Sequence, residues 1–320
     1  MTRSPLIIAL LCALLAGCVS SPDSRPRGLI EAEQQLGQGA RAFRDDDYRS
    51  AAALFRRALD YYRSIDDAHG QALALINLAE TALAVDDRTA VRQHLAALAQ
   101  LQPRLGESQL ERRIGLLRAR LLLREGHPAE AARLLDRLLA DTEPIASKPG
   151  LLHLALLARR TEAALAENDL TTAQTLLQQL APALERDATP SGLRARILRL
   201  QAALHARQGD PAGAEILLQQ ALTLAHRSRN RPAIAATLEE LADLALKRKQ
   251  PARAAELLER ALPVRSRLLD QAALRRDLER LDRLYAQLGD ETARRRIRAA
   301  LAQLPASGEG ARPELPAQAH

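Results

Sequence analysis

The 320-residue sequence contains no Trp, one Met, two Cys, four Tyr and two Phe. Aromatics make up only 2 % of a chain that is 47 % hydrophobic, so its apolar interior has to come almost wholly from Leu and Ala. That composition excludes a β-sandwich or barrel, which draws on Val, Ile, Thr and aromatics, and predicts an all-helical protein. The longest apolar run, Leu6 to Leu15, is too short for a transmembrane helix of about 20 residues. There is no Gly-Lys pair, hence no P-loop, no G-x-S-x-G elbow, and no two His residues four apart as a zinc-binding HExxH needs. No catalytic or cofactor-binding motif remains, so neither an enzyme nor a cofactor is expected.

The amino terminus carries its own signal. Arg3 followed by the apolar run has the form of a signal peptide. Leu15-Ala16-Gly17-Cys18 resembles the lipobox of bacterial lipoproteins. The resemblance implies cleavage after Gly17 and attachment of a diacylglyceryl and acyl (palmitate-type) lipid to Cys18. Several acyl chains, each contributing roughly 0.8 kcal/mol per buried methylene, make such an anchor effectively permanent. Cys12 would leave with residues 1–17, so the mature chain would hold no disulfide. Val19, where an inner-membrane sorting signal would place Asp, implies the periplasmic face of the outer membrane. Residues 18–28 (CVSSPDSRPRG) have the composition of a flexible tether, and residues 305–320, with three Pro and two Gly, that of a disordered tail. Residues 29–304 are expected to fold.

That span repeats. The turns Asp46-Asp47, Asp86-Asp87, Gly126-His127, Asn168-Asp169, Gly209-Asp210, Lys249-Gln250 and Gly289-Asp290 recur every 40–42 residues. After each comes a small residue: Ala51, Ala90, Ala131, Ala173, Ala214, Ala254 and Ala293. Four residues on stand Phe55, His94, Leu135, Leu177, Leu218, Leu258 and Ile297, and seven on Ala58, Ala97, Leu138, Leu180, Ala221, Ala261 and Ala300. Spacings of four and seven put each triplet on one helical stripe. The segments before the turns are amphipathic too, as in Ile197, Leu200 and Leu204. Pro128, Pro211 and Pro251 suit first helical positions, and Asp or Asn at other turns suits N-caps. Each unit is therefore helix, tight turn, helix.

The units resemble tetratricopeptide (TPR) repeats. Gly39, Asp47, Tyr48, Ala51, Phe55 and Ala58 fall on the family's pattern in the first unit, and Leu241, Ala242, Ala254 and Ala261 in the sixth. The period of about 40 exceeds the family's 34, the family's Trp is absent, and Pro rarely closes the second helix. The resemblance spans residues 29–304 and implies a right-handed superhelical solenoid of about seven units. It also implies first helices lining a concave groove and a non-enzymatic role in binding proteins. TPR lipoproteins of this type serve β-barrel insertion, pilus and secretin assembly, or scaffolding of peptidoglycan hydrolases.

Charge supplies the candidate site. The net charge is +7, and 43 of the 46 basic residues are Arg. Matching positions place Arg113, Arg120, Arg124, Arg196, Arg199 and Arg207 in the groove, where they could hold an acidic peptide or a carboxylate terminus; alternatively they solvate helix faces and pair with Glu neighbours. Tyr61 and Tyr62, in a first unit that holds five of the six aromatics, either form a docking patch or cap the stack. Asp45-Asp46-Asp47 lacks the spacing of a calcium loop and suits turn and N-cap duty. His94 fits an interior or edge position better than a ligand. Glu162, Glu239 and Glu240 fit solvated helix faces better than a glycosidase acid/base pair. Nucleic acid is not expected, since base-stacking aromatics are missing. Two further classes stay open: a glycan-processing enzyme or ligand-binding protein using the solenoid as a cup, and a subunit of a transport or lipid-handling complex.

Overall fold

The computed structural model describes residues 26–105, 108–140 and 150–304. Cys18, most of the tether and residues 305–320 lie outside the described residues. The described elements are all helices: α1 (Arg27–Arg44), α2 (Tyr48–Ser64), α3 (Ala68–Ala84), α4 (Arg88–Leu105), α5 (Ser108–Glu125), α6 (Pro128–Ala140), α7 (Leu151–Ala166), α8 (Leu170–Leu180), the short α9 (Pro182–Glu185), α10 (Ser191–Arg207), α11 (Pro211–Arg227), α12 (Arg231–Lys247), α13 (Pro251–Leu268), α14 (Gln271–Leu288) and α15 (Glu291–Gln303). They form seven consecutive pairs, α8 and α9 together completing the fourth. The first helix begins at Arg27, inside the span expected for the tether.

All seven turns are built alike. The amide of the second turn residue donates back to the carbonyl five residues earlier, from Asp47 to Ala42 (2.9 Å) through to Asp290 to Tyr285 (3.1 Å). This bond satisfies an orphan carbonyl at the end of the first helix and requires a left-handed residue just before it. That residue is Gly126, Gly209 or Gly289 in three turns and Asp46, Asp86, Asn168 or Lys249, at φ of 56–62°, in the other four. The next side chain then caps the second helix: Asp47 accepts from Ser50 N–H, Asp169 from Thr172 and Asp210 from Gly213. Pro128, Pro211 and Pro251 open α6, α11 and α13 at the position where a missing N–H costs nothing.

The predicted stripe is buried in every unit except the second, apart from Leu138 of the third unit, which is half-buried. Ala131, Ala173, Ala214 and Ala254 are at most 1 % exposed, as are Leu135, Leu258 and Ile297. In α4 the stripe runs instead through Val91, Leu95 and Leu98, and Ala90, His94 and Ala97 lie beside it, half-buried. The small residue expected at position 90 is therefore Val91, four residues after its cap like its counterparts in units one to six. His94 is at the edge of the core, where burial and then Arg56 lower its pKa.

First helices pack on first helices, α1 on α3, α3 on α5, α5 on α7, α7 on α10 and α10 on α12, while each second helix packs between its neighbours in sequence. A row of directly touching first helices takes the shorter arc, so the stack curves and the first helices form its inner wall.

Candidate functional site

The inner wall carries a run of charges that packing alone does not require. On α7, Arg159 pairs with Glu162 at 2.7 Å, and Arg196 of α10 reaches the same carboxylate oxygen at 3.1 Å. Burial pushes the Glu162 carboxyl up, but Arg159, Arg196 and Arg199 together outweigh it and hold the pKa down to about 2. One carboxylate therefore serves three guanidinium groups. Arg199 has its own partner, a two-pronged contact with Glu240 of α12 (2.8 and 2.5 Å), which raises its pKa although burial alone would lower it.

The remaining cations have no such neutralisation. Burial, with Arg159 second, pulls Arg120 down to about 10, and burial with Arg159 again pulls Arg196 well below the usual guanidinium value. Among the described residues Arg120 makes no hydrogen bond or ion pair; Glu80 and Glu162 act on it only from a distance. Arg113 and Arg120 line one cavity of about 260 Å³ with Glu80, Leu116, Leu117 and Leu152. The wall of α5, α7 and α10 is thus cationic with apolar patches. Toward the carboxyl end it reverses: α12 carries Glu239, Glu240 and Asp243.

The other candidates lie elsewhere. Arg124 is held at 2.8 Å by Asp86, at the α3–α4 turn, and so is a structural cation. Arg207 is exposed at the end of α10. Tyr62 is 4 % exposed and lies on Gly70, where a Cβ would come within 2.1 Å of its ring; Tyr61 lies likewise on Gly28. These two rings stack edge to face at 6.1 Å and cap the first layer, so Tyr62 offers no docking surface. Asp46 and Asp47 carry out turn and cap duties.

A cluster that the sequence did not reveal surrounds Arg265 of α13, which contacts Glu239, Asp270 (3.3 Å) and Asp277 (4.0 Å). Burial first, then the charge of Glu239, raises the Asp277 pKa to about 7. Two carboxylates this close suggest acid/base chemistry, but Asp277 is only 2 % exposed and closed off from a substrate. No group of three or more His, Cys, Asp and Glu suited to a metal occurs among the described residues, and no described helix is long and apolar enough to cross a membrane.

With the geometry in place, the comparisons agree on the fold. The tetratricopeptide repeat family model matches residues 193–267, which cover nearly all of α10 and run into α13. Among solved structures, the crystal structure of a Rap protein complexed with Competence and Sporulation Factor is similar over 88 % of this chain and 77 % of that one, with 13 % identity and a TM-score of 0.66. The apo form of RapI is similar over 82 % and 73 %, with 10 % identity and a TM-score of 0.51. No curated protein matches the sequence. The chain is an all-α solenoid of TPR-like repeats, a fold whose general use is in protein–protein interaction.

Proposed function

We propose that this protein is a lipid-anchored adaptor of the bacterial envelope whose inner wall binds an acidic segment of a partner protein. The observation that carries the binding reading is the excess of cations on α5, α7 and α10, where Arg159 and Arg196 share the single carboxylate of Glu162 and Arg120 has only Glu80 and Glu162 at a distance. A carboxylate placed there would raise the Arg120 and Arg196 pKa back toward the usual guanidinium value and gain charge-assisted hydrogen bonds. Leu116, Leu117 and Leu152 beside Arg113 and Arg120 favour an apolar side chain next to that carboxylate. The Rap protein of similar fold is itself complexed with a factor, Competence and Sporulation Factor.

The test is crosslinking in intact cells followed by capture. The parent chain should yield reproducible protein partners, and Arg120→Glu with Arg196→Glu should lose them while keeping the helical circular dichroism. Capture unchanged by the double reversal would remove the inner-wall reading.

The envelope address is supported by the Leu15-Ala16-Gly17-Cys18 motif and by Val19. We place the protein on the periplasmic face of the outer membrane, serving β-barrel insertion, pilus or secretin assembly, or hydrolase scaffolding. Labelled palmitate should enter the parent and not Cys18→Ser, and the latter should leave the membrane fraction; equal labelling would exclude the anchor.

A further inference from the structure

Two turns near the amino end meet the carboxyl end of the stack. Arg231, at the start of α12, donates to Asp46 at 3.1 Å, a contact between residues 185 apart in sequence, and its guanidinium also reaches the Asp45 carbonyl. Arg276 of α14 lies 3.7 Å from Asp86. Between these ion pairs Tyr48, Ala235 and Leu268 form a buried apolar contact, with Phe43, Val85 and Val264 packed around it. Phe43 and Tyr48 stack edge to face at 5.3 Å. Units one and two thus touch units six and seven, and the superhelix closes on itself.

At two of the turns the left-handed residue also makes the contact across the closure. The first residue of each helix–turn–helix junction is left-handed, a conformation that Gly adopts without strain and that costs other residues about 1–2 kcal/mol. Gly fills it at 126, 209 and 289 and Asn168 and Lys249 fill it at two further turns, whereas Asp fills it at 46 and 86, at the two junctions that face the far end. Both aspartates are largely buried, with side chains 10 % and 4 % exposed. Asp46 accepts from Tyr48 and Arg231, and Asp86 is held by Arg88, Arg124 and Arg276. On the other side Leu268 reaches the contact because α13 runs to 18 residues and its following residue, Leu269, is left-handed. Arg124 connects this latch to α5, the helix that carries Arg113 and Arg120.

We infer that the Asp46–Arg231 and Asp86–Arg276 pairs are a latch that closes the solenoid around its inner wall, so that the wall is gated. The closed form admits only an extended segment or small solute, and a folded partner surface reaches the wall only when the latch opens. The inference rests on the inner wall being the binding surface, but it can be read without any partner.

Arg231→Glu with Arg276→Glu sets like charges across both contacts at positions exposed enough to leave the helices intact. The variant should keep the parent's helical circular dichroism, and its small-angle scattering should shift to a larger radius of gyration. Adding Asp46→Lys should reverse part of that shift. Gating is read separately from a thiol placed by Arg113→Cys in chains carrying Cys12→Ser and Cys18→Ser. The ratio of its modification rate by a bulky polyethylene-glycol maleimide to that by a small maleimide should be low in the latched chain and rise several-fold in the reversed one. Superimposable scattering would overturn the latch, and an unchanged ratio would overturn the gate. Neither result depends on whether the occupant is acidic, so failure of the acidic-segment reading stays distinguishable.

Discussion

Asp277 illustrates how a single residue can make this all-helical fold sensitive to pH. Its carboxyl is raised to about 7, first by burial and then by Glu239, while Arg265 and Arg280 oppose the shift. A carboxyl that holds its proton more tightly in the folded chain favours folding where it is protonated. Its contribution is complete below the ordinary carboxylate value and is lost as pH rises through about 7. The urea midpoint should therefore fall between pH 5 and pH 8, and Asp277→Asn should flatten that fall. If both proteins show the same slope, the Asp277–Glu239 proton does not couple to folding. At the same scale, Val91 and His94 separate two registers for α4. Val91 is fully buried, so Val91→Ala should cost about 1–2 kcal/mol from lost methyl burial and incomplete collapse. His94→Ala should stay within about 0.5 kcal/mol. A larger loss in thermal denaturation from the His94 change would restore the stripe through Ala90. The sequence pattern misplaced this stripe by one position because Ala90 and Ala97 match the small-residue rule; only the step of four from the cap position to the small residue, kept in units one to six, points to Val91.

At the scale of the elements most of the fold was legible, because each signal rests on local chemistry that acts within a few residues. Asp47, Asp169, Asp210 and Asp290 cap the helices the pattern assigned to them, and Pro128, Pro211 and Pro251 open theirs. The left-handed turn position was not legible wherever Gly was absent, since Lys249 gives no hint of φ near 59°. Lys249 is exposed and, unlike Asp46 and Asp86, makes no hydrogen bond or ion pair with its side chain among the described residues. Lys249→Gly should therefore stabilise the chain by about 0.5–1 kcal/mol, the relief of left-handed strain less the greater freedom of the unfolded glycine. Asp46→Gly should not give this gain, because it also removes the acceptor of Tyr48 and Arg231. Equal gains in melting temperature at both positions would show that Asp46 contributes nothing across the closure.

For the whole molecule the candidate site was half legible. Of the position-matched cations, Arg113 and Arg120 line one cavity on α5 and Arg196 meets Glu162 of α7, but whether a guanidinium is neutralised depends on partners in other units. Arg199 meets Glu240 from 41 residues away, and Arg124 meets Asp86 from 38. No local pattern encodes such pairs. The closure is hidden for the same reason, although its aromatic component stood out early as the excess of aromatics in the first unit: Phe43 and Tyr48 are there because that unit has a second neighbour. This changes how the stack should respond to damage. In an open solenoid stability is a sum of nearest-neighbour terms, so loss of a side chain in the first unit is felt in the first two or three. Tyr48 is 4 % exposed and packs on Ala235 and Leu268 as well as on its own unit. Tyr48→Ala should cost about 3 kcal/mol or more by the measure of large aromatic truncations in cores. In hydrogen exchange the amides of α12 and the last turns of α13 should lose protection along with α1–α3, while α7 and α8, in the middle of the stack, change least. A loss of protection that fades steadily from the first unit, leaving α12 and α13 untouched, would mean that stability travels along the stack only and not across its closed ends.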